Sequence, residues 1–123
     1  MYDCDGVRKY ARYSYFHVEG SSVNYKLHVS GYSGTAGDSF TTVRNLNGMQ
    51  FSTRDRDNDN SDSNCATLFG GGSGWWFNDC FRCNLNGPYS CGALQTHWLG
   101  VIWYDFRGAF YSLKYTEMKM RFI

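Results

Sequence analysis

Between Arg54 and Gly74 the chain passes through Asp55, Asp57, Asp59 and Asp62, a run of Asn and Ser, and three consecutive glycines, with almost no hydrophobic periodicity. A loop of that length inside a compact domain needs something to hold it in place. Two means of doing so lie within the stretch or at its border. The first is oxygen ligands: like charges packed this closely repel unless a cation is shared among them, and calcium accepts the irregular set of carboxylate and carbonyl oxygens that alternate positions supply. An EF-hand does not fit, because Asn60 stands where its turn glycine belongs, Ala66 stands where its bidentate glutamate belongs, and neither flank is patterned as a helix. A solvated acidic turn remains the competing reading, since Asp and Asn are ordinary turn residues.

The second means is the cysteines, of which the chain has 5. Such density suits an oxidising compartment, where cysteines act as staples, and the odd count leaves at least one thiol without a partner in the chain. Cys65 and Cys80 bracket a stretch whose closure would stabilise the fold by about 3 kcal/mol on the chain-entropy model. Cys80 and Cys83 have the spacing of a redox pair or of half a zinc site, with Cys65, Cys91 or His97 as further ligands. No βαβ pattern surrounds them and no second C-x-x-C follows, so disulfides are the better reading. The pairing stays open at this level.

Composition points the same way. The 123 residues suit one domain, and 19% aromatic residues with 14 Gly and a single Pro favour a loop-rich fold containing β-structure. A formal net charge of +1, with both signs interspersed, provides no basic stripe for nucleic acid. No run approaches the roughly 18 apolar residues of a membrane span, so no membrane insertion is expected. Met1 to Gly6 lacks the pattern of a secretory leader, so any export signal is expected outside this chain. The segments 12–19 and 25–32 read as a hairpin around Gly20-Ser21-Ser22, the second alternating Tyr25, Leu27 and Val29 with polar residues. Residues 31–38 are too polar for a strand, and Asn47-Gly48 marks a turn. Trp75-Trp76-Phe77 and 101–106 suit short buried strands. Alternation of Met118, Met120 and Phe122 with Lys119 and Arg121 predicts that the chain ends on a strand running to Ile123. His17 and His28 fall on strand faces as ordinary polar residues. No nucleophile motif, H-E-x-x-H or phosphate loop accompanies the histidines, so no enzyme is expected.

Several separate motifs then coincide. Tyr25-Lys-Leu-His-Val-Ser-Gly-Tyr-Ser-Gly-Thr-Ala-Gly-Asp-Ser39, Asn47-Gly-Met-Gln-Phe-Ser-Thr53, Asp55-Arg-Asp-Asn-Asp59, Asn64-Cys-Ala66, Gly74-Trp-Trp76, Asn84-Leu-Asn-Gly87, Tyr111-Ser-Leu-Lys114 and Thr116-Glu-Met-Lys119 occur in that order. Together they resemble the fibrinogen C-terminal domain family over almost the whole chain. The resemblance implies an α+β fold of short antiparallel strands and long ordered loops. It also implies that residues 1–123 form a partial domain, the central sheet with the calcium and pocket region, whose N-terminal subdomain is missing.

The resemblance carries specific site expectations. The side chains of Asp57 and Asp59 and the carbonyls of Ser61 and Ser63 would bind Ca2+, at the roughly 0.1 to 1 mM typical of extracellular sites. Cys65 would pair with Cys80, after a peptide that is often cis in the family. Cys83 and Cys91 are additions to the family pattern and are expected to bond each other, while Cys4, standing where the family usually has tryptophan, would serve an intermolecular bond. In sugar-binding members an acetyl group sits beside the calcium loop. The matching positions are the Cys80 and Phe81 amides, walled by Phe69, His97, Trp98 and Ala109, with Phe81, His97 and Ala109 departing from the family's residues. The function so implied is a secreted, calcium-dependent, lectin-like module for acetylated glycans on microbial or host surfaces, as in innate immunity. The alternative is a matrix or receptor-ligand module of tenascin or angiopoietin-like type that binds an extracellular protein.

Overall fold

A computed structural model describes residues 1–122. The fold is α+β, with little regular structure and long loops set around one core. Its largest element is an antiparallel hairpin of β1 (Ala11–Val18) and β2 (Leu27–Gly34), in which Phe16 faces Val29 and Val18 faces Leu27. A single 3-10 turn at Ser21–Val23 joins the strands, closed by Asn24 in the left-handed conformation. The predicted hairpin is therefore present. β2 extends further than its polar sequence suggested, through Gly31 and Gly34. Gly31 has φ +75° and lies against Ser14, so the missing side chain lets the two strands close on each other.

The rest of the β-structure consists of two short pairs. β3 (Cys83–Asn84) pairs with β5 (Ile102–Trp103), and β4 (Gly92–Ala93) with β6 (Tyr111–Ser112), both antiparallel. Two one-turn helices complete the set: α1 (Cys65–Phe69) and α2 (Tyr104–Arg107). The Asn64 side chain caps α1 by accepting from the Thr67 N–H, and Gly70 to Gly72 end it. The 101–106 run therefore splits into a strand and a helix. Trp75 forms only an isolated bridge with Ser52, so the Trp75–Phe77 run packs as core without becoming a strand.

Leu27, Val29, Leu46, Trp75, Phe77, Phe81, Ile102 and Leu113 are fully or almost fully buried and form the core together with Phe40 and Trp103. Two expectations fail here. The C-terminal strand is absent among the described residues: after β6 the chain makes one bridge, Tyr115 with Tyr2, and Met118, Met120 and Phe122 are exposed. Alternation alone makes no strand when no neighbouring backbone lies alongside to bond it. Ile123 lies outside the described residues.

The second failure concerns the cysteines. Cys91 bonds Cys4 rather than Cys83, with a Cα–Cα distance of 5.9 Å. Cys4 is thus held within the chain and takes no part in an intermolecular bond. The cause is placement: Cys83 lies fully buried on β3 against Trp103, whereas Cys4 and Cys91 meet near β6, where the Tyr111 hydroxyl accepts from the Cys4 N–H.

Candidate functional site

The stretch that resisted periodicity is held by asparagines and by one disulfide. The Asn58 N–H donates to Ser52 Oγ and its side chain to the Phe51 carbonyl. The Asn64 side chain reaches back to the Arg54 carbonyl, and Asn60 bonds both the Asn78 carbonyl and its Oδ1. Asn78 in turn donates to the Asn45 carbonyl. Cys65 and Cys80 are bonded, with Cα atoms 5.7 Å apart, and the Asp79–Cys80 peptide is cis, both as the resemblance implies. Short amide side chains substitute here for the backbone ladder that an aperiodic segment lacks.

The four aspartates separate by role. Asp55 accepts from Thr53 Oγ1 at 2.8 Å, and that bond holds its carboxyl below the usual range. Asp59 is half-buried. Its Oδ1 accepts the Ser61 N–H at 3.0 Å and its Oδ2 the Cys65 N–H at 2.9 Å, while its own N–H donates to Asp57 Oδ1. Burial, and after it the adjoining Asp57 carboxyl, raise the Asp59 carboxyl above the usual range. Two carboxylates thus share one turn against their mutual repulsion, with Ser61 and Ser63 following on the same loop. Hard oxygen donors of this kind suit calcium. No cluster of three or more His, Cys, Asp or Glu side chains suited to a metal occurs among the described residues. The set implied for calcium has two such side chains, the rest being carbonyls.

Beside the loop lies a small cavity of about 260 Å³, lined by Arg44, Phe69, Asp79, Cys80, Phe81, His97 and Trp98. Five of the six pocket residues expected from sequence line it. The sixth, Ala109, does not: its carbonyl accepts the Trp98 N–H at 2.7 Å and so holds the wall in place from behind. Phe81 is buried and makes edge contacts with Phe69 and Trp98, with centroids 5.6 Å away in both cases. Neither the Cys80 nor the Phe81 amide donates to another described residue. The Trp98 ring stacks on Tyr104 at 5.5 Å, and the Arg82 guanidinium lies 4.2 Å from the Tyr104 centroid. Arg82 makes a two-pronged bond to Asp105, which also accepts from Ser39, so the wall is braced from the residue before β3 through α2 to the loop before Phe40.

Sequence reasoning missed Arg44 and Asp79. Arg44 lies just before the Asn45–Gly48 turn with φ +57°, which swings its guanidinium to 5.2 Å from the Trp98 centroid. No spacing rule links positions so far apart in sequence; the positive φ that brings them together shows only in three dimensions. A larger concavity of about 1,200 Å³ runs along β1 and the segment after β6. It contains none of the expected ligand or pocket residues, so the smaller cavity is the candidate site.

Comparison with known proteins places these features in context. The model of the family described as fibrinogen beta and gamma chains, C-terminal globular domain, matches residues 1–123. Fibrinogen C domain-containing protein 1 of Macaca fascicularis is 45% identical over 124 residues, covering 97% of this chain and 28% of the relative. Angiopoietin-1 of Sus scrofa is 41% identical over 122 residues, covering 98% and 24%. The fibrinogen-like globe domain of human ANGPTL2 superposes with a TM-score of 0.83 at 45% identity, over 93% of this chain and 51% of that one. Lamprey fibrin D-dimer, solved in complex with the peptide ligand Gly-His-Arg-Pro-amide, gives 0.80 at 32% identity, over 92% and 40%. The chain therefore spans about a quarter of the length of the curated relatives and about half of the ANGPTL2 globe domain.

Proposed function

Because this chain belongs to the family of C-terminal globular domains of fibrinogen beta and gamma chains, we propose that it is an extracellular, non-enzymatic recognition module that receives a segment of another protein in the pocket beside Cys80. The observation that carries this reading is the pair of uncommitted Cys80 and Phe81 amides at a cavity walled by Phe69 and Trp98. Amide donors set among rings are how a small site orients a carbonyl. At about 260 Å³ the cavity is below the usual range for small-molecule sites and suits one side chain or acyl group, the anchor of a larger interface. Angiopoietin-1 among the relatives, and the peptide complex of lamprey fibrin, favour a protein ligand. Two disulfides favour an oxidising, extracellular setting.

Calcium belongs to the same proposal. Asp57 and Asp59, with the carbonyls of Ser61 and Ser63, would hold it, relieving the repulsion between the two carboxylates and fixing the loop that Cys65 and Cys80 close. A second reading is an acetylated glycan, since the same two amides suit an acetyl carbonyl. Titration of the non-reduced protein in calcium with N-acetyl-glutamine N-methylamide, a peptide mimic, and with N-acetylglucosamine tests both readings. Saturable binding of the peptide mimic is expected. Binding of the sugar alone would favour the glycan, and binding of neither would overturn the pocket assignment.

A further inference from the structure

We infer that Arg44 gives the pocket a preference for an acidic residue, so that the segment it receives presents an Asp or Glu carboxylate to the Arg44 guanidinium. The inference rests on the reading of this cavity as ligand-facing and adds the chemistry of what enters. Three observations support it.

The first is that Arg44 has no ion-pair partner among the described residues, whereas Arg82 is bonded to Asp105 and Arg107 to Asp3. Its planar group is instead held over the Trp98 ring at 5.2 Å. A guanidinium held over an aromatic face keeps N–H donors for a carboxylate, and the contact steers an otherwise exposed side chain towards the cavity rim. The site is therefore organised for an anion before the anion arrives.

The second is the position of the opposite charge. Asp79 lines the same cavity, yet it forms neither an ion pair nor a hydrogen bond with another described residue. The two charges face one small space without neutralising each other. A segment that sets its carboxylate on Arg44 and an amide N–H towards Asp79 engages both groups, whereas an apolar side chain would engage neither and leave both exposed to water.

The third is what surrounds them. Phe69, Phe81 and Trp98 offer no competing acceptor, and the free Cys80 and Phe81 amides are donors, which suits a carbonyl on the same segment. The titratable and charged groups facing the cavity are thus Arg44, Asp79 and His97, and Arg44 is the one anchored on a ring of the wall.

The test is a matched pair of probes differing in one charge: N-acetyl-glutamate N-methylamide and its glutamine counterpart, titrated into the non-reduced protein at low salt. The acid is expected to bind at least about tenfold tighter, which is about 1.4 kcal/mol. Arg44→Gln should bring the ratio of the two probes' affinities to about one, whatever it does to each, and Arg44→Lys should restore part of that ratio. Equal affinities in the native protein, or an acid preference that survives Arg44→Gln, would overturn the inference and leave the pocket reading standing. Binding of neither probe would overturn both. Tighter binding of Gly-His-Arg-Pro-amide than of the acid would assign the preference to Asp79, and binding of N-acetylneuraminic acid without the glutamate probe would assign the site to an acidic sugar; either result contradicts the inference.

Discussion

At the scale of single residues, the cavity beside Cys80 is walled by rings held edge to face, Phe81 lying 5.6 Å from both Phe69 and Trp98. Phe69, Cys80, Phe81, His97 and Trp98 were placed from motif positions, and the folded chain brings all five to one cavity. Arg44 escaped because its place over Trp98 goes with a positive φ, and Ala109 lies outside the cavity, where its carbonyl accepts the Trp98 N–H. Asp105 permits a test through pH. The Arg82 bond, opposed by burial and aided by Ser39, holds its carboxyl below the usual range. A lowered folded-state pKa contributes stability above the unfolded value that is lost as pH falls through the folded one. Asp105→Asn should therefore cost about 1 to 3 kcal/mol at neutral pH. The gap from the parent should shrink below about pH 4, as measured by denaturant melts across pH. Cys83 provides a second test. Burial, then the nearby Asp38 and Asp105, push its thiol well up. Native protein at pH 8 should resist iodoacetamide, and one alkylated cysteine should appear by mass spectrometry only in denaturant.

At the scale of elements, the hairpin was legible because β2 starts in strict alternation and its inward positions, Leu27 and Val29, bury against the core. The segment after β6 has the same alternation and, among the described residues, no strand, because period two describes side chains and says nothing of which backbone lies alongside. The acidic loop was the reverse case: without periodicity it could be read only from its ligands and cysteines, and the asparagine bonds that order it have no recognisable spacing. If calcium occupies Asp57 and Asp59, a chelator should lower the thermal midpoint of the non-reduced protein, and paired Asp57→Asn and Asp59→Asn substitutions should abolish that response. An unchanged midpoint on chelation counts against the calcium assignment.

At the scale of the whole molecule, the family was legible from eight ordered motifs, while the second disulfide was not. Cys4 and Cys91 are separated by 87 positions, and nothing local in the sequence distinguishes this pairing from Cys83 with Cys91. A crosslink over so long a span constrains the unfolded chain strongly, so Cys4→Ser should destabilise the fold by about 4 to 5 kcal/mol in denaturant melts on the chain-entropy model. Reading Cys83 as buried and unpaired predicts in addition that Cys83→Ala leaves both disulfides intact, which peptide mapping without reduction would show.

The central claim is that the cavity beside Cys80 is where a partner is received, and amide NMR of the non-reduced protein in calcium tests it most directly. On titration with N-acetyl-glutamine N-methylamide, the Cys80 and Phe81 amide signals and the Trp98 indole signal should shift together and saturate, while β1 and β2 stay still. Saturating shifts along β1 with the Cys80 and Phe81 amides unmoved, or no shifts at all, would contradict the account.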